Sequence, residues 1–148
     1  QGASVPDPYV MTRIASLLRS AALIMLVLAI PLAAAQPLLE GRKFNTEAGY
    51  SGKPTHVKED ILSFQSGKFH SSDCDQYGYN RGDYRATAQG GGVAFEVETV
   101  SEQYGRNVWK GVVTGDAIEG TMVFYRKPTW WRPNPDPLEH WFRGKAIQ

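Results

Sequence analysis

GGVAFEVETVSEQYGRNVWKGVVTGDAIEGTMVFYRK, residues 91 to 127, decides the fold. In its first part Val93, Phe95, Val97 and Thr99 alternate with Ala94, Glu96 and Glu98, the period-two pattern of a strand with one apolar and one wet face. SEQYGRN turns the chain into NVWKGVVTG, 107 to 115, and Gly115-Asp116 turns it again into AIEGTMVFYRK, 117 to 127. In that last run Ile118, Gly120, Met122 and Phe124 face one way and Glu119, Thr121, Val123 and Tyr125 the other. Val123 and Tyr125 are apolar for a wet face and need cover, by a partner, a bend in the strand or the loop that follows.

The same grammar extends upstream. EDILSFQ, 59 to 65, puts Leu62 and Phe64 on one face, and Ser66-Gly67 forms a tight hairpin into KFHSSDC, 68 to 74. After the turn formers of 75 to 82 comes DYRATAQ, 83 to 89, where Tyr84, Ala86 and Ala88 share a face; small inward side chains suit a narrow barrel or a site where something else fills the space. RKFNTEA, 42 to 48, is the weakest strand, and HWFRGKAI, 140 to 147, closes the chain. No helical run of useful length follows residue 35. Links are short except before the last strand, so consecutive strands are expected to be neighbours. The expectation is an all-β fold, an antiparallel up-and-down β-barrel of about eight strands that removes its own sheet edges. An open sheet or small β-sandwich follows instead if 42 to 48 does not pair.

Residues 11 to 35 read as a signal peptide. Arg13 and Arg19 precede the apolar run from Ala21 to Ile30, and Ala33 and Ala35 stand at small-residue cleavage positions, which puts processing near Ala35-Gln36 and the product in the periplasm or outside the cell. The alternative is a protein anchored in the membrane by the uncleaved segment. Residues 1 to 10 are polar and read as upstream sequence outside the fold. That leaves 36 to 148 as a single domain, with 14 Lys and Arg against 14 Asp and Glu once Arg13, Arg19 and Asp7 are set aside. The basic residues are scattered among acids and form no stripe, so nucleic acid is not expected as a partner.

FQSGKFHSSDCDQYGY, GVVTGDAIEGTMVF and WFRGK resemble, in their spacing of glycines and aromatics, small exported bacterial proteins of the calycin-like kind, the group of lipocalins and avidins. The resemblance runs over roughly 59 to 146 and implies an eight-stranded meander barrel with a ligand cavity or a binding surface. It departs from lipocalins at EGRKFNTEAGY, which has Phe44 and no Trp near the first strand, and it carries only slight hints of avidin's polar ligand-binding side chains.

No GxSxG, HExxH, CxxC, CxxCH, Walker or Rossmann pattern is present, so no catalytic residue, metal site or cofactor is assigned and an enzyme is not expected. His70 and Cys74 share a strand face but lie roughly 13 Å apart along an extended chain, too far to pair. The lone Cys74 reads as a buried thiol. Glu96 and Glu98 near Lys110 read as a solvated face with an ordinary ion pair.

The last candidate is YRKPTWWRPNPDPLEHWF, 125 to 142. Prolines 128, 133, 135 and 137 restrict the loop and hold Trp130 and Trp131 in place. The two rings plug the barrel mouth, line a ligand pocket, or anchor a partner. The expected function is binding of a small apolar or amphipathic molecule by Tyr84, Phe95, Met122, Phe124, Trp130 and Trp131, with Arg126 and Arg143 as candidates for an anionic head group. The alternative is a protein-protein interaction module, a homo-oligomer or an exported partner's subunit or inhibitor, that presents the tryptophan loop.

Overall fold

The computed structural model describes residues 38–55 and 57–148. The signal-peptide reading of 11 to 35, residues 1 to 10 and His56 lie outside the described residues. Eight strands follow in chain order: β1 (Lys43–Tyr50), β2 (Lys58–Gln65), β3 (Lys68–Ser71), β4 (Gly82–Gln89), β5 (Gly92–Ser101), β6 (Gly105–Thr114), β7 (Ala117–Arg126) and β8 (Leu138–Ile147). Each pairs antiparallel with the next, and β8 returns to β1, so the sheet is a closed barrel. The open-sheet alternative fails at its own test, because β1 pairs on both sides, with Phe44 opposite Leu62 on β2 and opposite Ala146 on β8.

Several boundaries differ from the sequence reading, three of them for a visible reason. β1 continues to Tyr50, carried by the register that sets Tyr50 opposite His140. β8 begins at Leu138, directly after the last proline of the loop. β3 stops at Ser71, because the chain then turns into a short 3-10 helix, Asp73–Tyr77, closed by Gly78 in the left-handed conformation. The bend is fixed by Asp60, whose carboxylate accepts hydrogen bonds from the hydroxyls of Ser71 and Ser72 and from the Asp73 N–H.

The two ends of the barrel differ. At one end lie the tight turns at Ser66-Gly67, Gly90-Gly91 and Gly115-Asp116. Ser66 and Gly67 have φ of 55° and 71°, the mirror-turn geometry that matches strand twist. Ser66 is not a glycine, and the Glu40 carboxylate holds it there by accepting from both turn N–H groups. Those bonds, with Gly67's the larger effect and Ser66's next, keep the Glu40 carboxyl below the usual carboxylate range. The other end carries all the longer connections, 51–57, 72–81, 102–104 and 127–137.

The interior is divided in the same way. Phe64 is buried among Phe44, Phe69, Tyr84 and Phe95, with ring centroids 5.0 to 6.2 Å apart and mostly edge-to-face. Leu39 covers this aromatic half from the turn end. Gly111 and Gly120, opposite each other on β6 and β7, make room for two more rings: a Cβ on Gly111 would lie 2.7 Å from Phe95, and one on Gly120 2.6 Å from Phe142. Toward the loop end the inward positions become Thr46, Asp60, Ser71, Thr99, Ser101 and Asn107. Phe64→Ala should therefore cost about 3 to 5 kcal/mol by chemical denaturation, and Phe124→Ala, toward the loop end, only about 1 kcal/mol. Equal losses would mean that the interior is packed alike along its length.

Candidate functional site

The interior is open where its polar half meets the longer loops. A pocket of about 260 Å³ lies there, lined by Tyr50, Lys58, Tyr79, Asn107, Met122 and His140 among others. A larger concavity, about 850 Å³, lies on the outer wall of β4 to β8. It is an open bowl edged by Arg85, Glu96, Lys110 and Glu119, so a ligand there would remain in water and compete with solvated charges. The smaller pocket reaches the interior, between Met122, Asn107 and His140.

Met122, Phe124 and Leu138 supply its apolar wall. Tyr50 leans on the His140 ring at 4.9 Å, and Tyr77 meets Tyr104 edge-on at 5.5 Å. The floor is polar. Asn107 is 3% exposed; its Nδ2 donates to Cys74 Sγ at 3.7 Å, and its Oδ1 has no hydrogen-bond partner. The buried Nδ1 of His140 has none either. A buried amide oxygen left unpaired costs roughly 1 to 3 kcal/mol, so a group that reaches it from the pocket gains that much.

The titratable groups around the pocket are set by their surroundings. Burial pushes the His140 imidazole below its ordinary value and the nearby Lys58 charge adds to this, with the Leu138 backbone opposing. The ring is therefore neutral at physiological pH. Burial also works against the Lys58 ammonium, but the 2.7 Å bond to Asp73 and the charges of Asp73 and Asp60 outweigh it, and its pKa ends raised. That ion pair fastens the 3-10 helix to β2. Burial raises the Tyr79 phenol to about 12 and raises the Cys74 thiol, which stays a thiol and a poor nucleophile.

The sequence-derived candidates divide between several places. Met122 and Phe124 line the pocket. Tyr84 and Phe95 are packed in the aromatic half, Tyr84 with its O–H 3.3 Å from Glu40, and neither reaches the pocket. Arg126 lines a rim groove with Gln103, Tyr104 and Lys127. Arg143 is on the outer wall, bonded to Glu47 at 2.7 Å and stacked over Trp141, so it does not stand at the mouth. Trp130 and Trp131 are 89% and 68% exposed, which overturns the plug reading: the rings project into solvent and cover nothing. His70 does not face Cys74; it pairs with Asp75 at 2.7 Å while Cys74 turns inward with the 3-10 helix. Glu96 and Glu98 are exposed partners of Lys110 and Arg106, and the Arg106 guanidinium stacks on one face of the Tyr125 ring at 4.1 Å, leaving the rest of it exposed.

Lys58, Asn107 and His140 are among the pocket residues that sequence patterning missed, as are Tyr50, Tyr77, Tyr79, Tyr104 and Leu138. Asn107 was legible as an inward position, two residues before Trp109, and a buried amide among apolar neighbours was the available signal. Among the described residues no group of three or more His, Cys, Asp or Glu side chains converges as a metal set. No family model, curated protein or solved structure matches the chain, so the calycin resemblance extends to the barrel architecture alone.

Because the unfolded His140 protonates near 6.5 and the folded one only at lower pH, the unfolded chain binds more protons between the two, and stability rises with pH through that window. Acidification from about pH 7 to about pH 5 should lower the melting temperature, and His140→Gln should flatten that slope. An unchanged slope would refute the assignment. Separately, Lys58→Met leaves Asp73 half-buried without its partner and should cost about 1 to 3 kcal/mol, with faster amide exchange across 72–78 as the local readout.

Proposed function

We propose that the chain is an exported, non-catalytic binding protein of calycin-like design that holds a small amphipathic molecule in the loop-end pocket. The observation that carries this reading is the pairing of a buried, unpartnered Asn107 Oδ1 with an unpartnered His140 Nδ1 beside an apolar wall of Met122, Phe124 and Leu138. A ligand with a flat apolar body and one hydroxyl or amide end satisfies both requirements. Its body stacks among the tyrosines and its polar end donates to Asn107 or meets the neutral imidazole. At about 260 Å³ the pocket falls just below the range of drug-sized sites, which start near ~300 Å³, so the ligand has one or two rings rather than a lipid tail.

Mechanism on this reading is sequestration. Apolar burial supplies affinity at roughly 25 cal/mol per Å², and the two polar atoms fix orientation and reject ligands without a matching group. No acid, base or nucleophile is proposed: Cys74 is held as the thiol and Lys58 is committed to Asp73.

Native mass spectrometry of the protein purified from an exporting host is the direct test. A mass excess that releases one discrete small molecule on denaturation is the expected result. Asn107→Leu should weaken rebinding of that molecule by about tenfold or more, the equivalent of about 1.4 kcal/mol. A clean apo mass, with no binding of an amphipathic probe such as anilinonaphthalene sulfonate that Met122→Trp abolishes, would sink the reading.

A further inference from the structure

We infer that the loop end of the barrel is a membrane-docking face, anchored by Trp130 and Trp131 on a bilayer surface that carries anionic lipid. The inference does not depend on what the pocket holds.

Position is the first ground. Among the described residues the aromatics exposed by more than a third are Tyr50, Tyr77, Tyr104, Tyr125, Trp130 and Trp131. Strand direction places all of them at one end: Tyr50 ends β1, Tyr77 ends the 3-10 helix, Tyr104 sits in the β5–β6 turn, and Tyr125 precedes the β7–β8 loop that holds both tryptophans. Among the described residues the exposed large apolar side chains toward the turn end are aliphatic: Leu38, Val112 and Ile147. Aromatic rings gathered at one pole of a barrel match the belt of Trp and Tyr that forms at a membrane–water interface.

The shape of the anchor is the second. Thr129 and Arg132 exchange both backbone hydrogen bonds at 3.1 Å, which leaves Trp130 and Trp131 as a two-residue tip. Their rings stand edge-to-face at 5.4 Å, and the surrounding prolines restrict the backbone, so little entropy is lost when the tip enters another phase. Exposed to water, this tip has no structural role in the barrel.

Charge names the occupant. Arg126, Lys127 and Arg132 bracket the tip, and the acidic residues of this stretch, Asp136 and Glu139, lie four and seven positions beyond Arg132. Lys127 is held in place by the Glu102 carbonyl at 2.6 Å. A protein partner would need a patch of about 800 Å² per side with a core depleted in charge, whereas the tip is surrounded by cations, prolines and Asn134. An interface of lipid headgroups needs only what is present: rings of amphipathic character inserted to headgroup depth and cations set against phosphate. The pocket shares Tyr104 and Phe124 with the rim groove beside this loop, so its mouth lies close to the same surface.

Flotation of the processed, ligand-free protein with vesicles of phosphatidylcholine alone and of phosphatidylcholine mixed with phosphatidylglycerol tests the proposal. The protein should float with the mixed vesicles, and brominated lipid should quench its tryptophan fluorescence. The variant Trp130→Ala/Trp131→Ala should lose roughly tenfold in partitioning with its melting temperature unchanged, since both side chains are exposed. Lys127→Ser/Arg132→Ser should lose several-fold, and added salt should imitate it. Absence of wild-type flotation on mixed vesicles overturns the inference, as does flotation unaffected by the tryptophan substitutions. Equal flotation on both vesicle types overturns the assignment to anionic lipid. A soluble protein that instead forms a stoichiometric complex with one exported protein through the tip would reassign the loop to a protein partner. None of these results alters the outcome of native mass spectrometry, so failure here and failure of the carrier reading remain separate.

Discussion

Closure of the sheet between β1 and β8 is the constraint from which the rest of the structure follows. The eight paired positions from Lys43 opposite Ile147 to Tyr50 opposite His140 remove both edges, so no strand is left to recruit another chain. Closure also fixes an interior volume that side chains must fill or leave as a pocket. At the turn end it is filled by rings, and the filling sets local composition in return: a Cβ on Gly111 or Gly120 would meet both the neighbouring strand's backbone, at Glu119 or Lys110, and a ring, Phe95 or Phe142. Tight turns complete that end, with Glu40 reaching across from the chain before β1 to hold the Ser66-Gly67 hairpin. Ring packing is concentrated there.

Along the barrel axis the interior changes from apolar to polar, and the change is managed by one buried carboxylate. Asp60, 6% exposed, is surrounded by donors from Ser71, Ser72 and Asp73, which lets an acid sit inside the wall without a free charge. Its backbone carbonyl also accepts from Thr46 at 3.0 Å. These bonds end β3 early and swing Cys74 inward, and the Lys58–Asp73 pair then secures the 3-10 helix over the polar half. The loop end is thus built from hydrogen bonds and half-buried ion pairs rather than from packed rings, the sort of region from which binding elements are drawn.

How much of this is legible in the sequence follows from what periodicity can carry. Alternation over 93–100 and 117–127 gives strands and faces directly, because most inward residues are apolar and Glu96, Glu98, Glu119 and Thr121 mark the outer face, despite the exceptions Thr99 and Ala94. The Ser66-Gly67 hairpin is legible from turn chemistry. The end of β3 is not: KFHSSDC alternates as a strand would, and the bend depends on Asp60, eleven residues before Ser71. Exposure of Trp130 and Trp131 is equally hidden, since prolines show that a loop is stiff and not which way its rings point. The pocket is harder still. Lys58, Asn107 and His140 meet only after the barrel closes, and in the sequence each is a single polar residue in a strand. Patterning therefore chose Tyr84 and Phe95, apolar and inward like Met122 and Phe124, because alternation gives the face of a residue and not its height along the axis.

Height along the axis is what unites the two proposals for this protein. In an up-and-down barrel every odd connection lies at one end and every even one at the other, so lengthening only one set makes the molecule polar without altering a strand. Two-residue turns have no side chains to spare beyond what their geometry demands. The longer connections are where rings, cations and prolines accumulate, and here they surround the end at which the pocket opens. A pocket open at that pole and an anchor at the same pole share one direction of approach. A ligand entering from a lipid surface would meet the tyrosine rim first and Asn107 last, with the charge-paired 3-10 helix as the wall it passes.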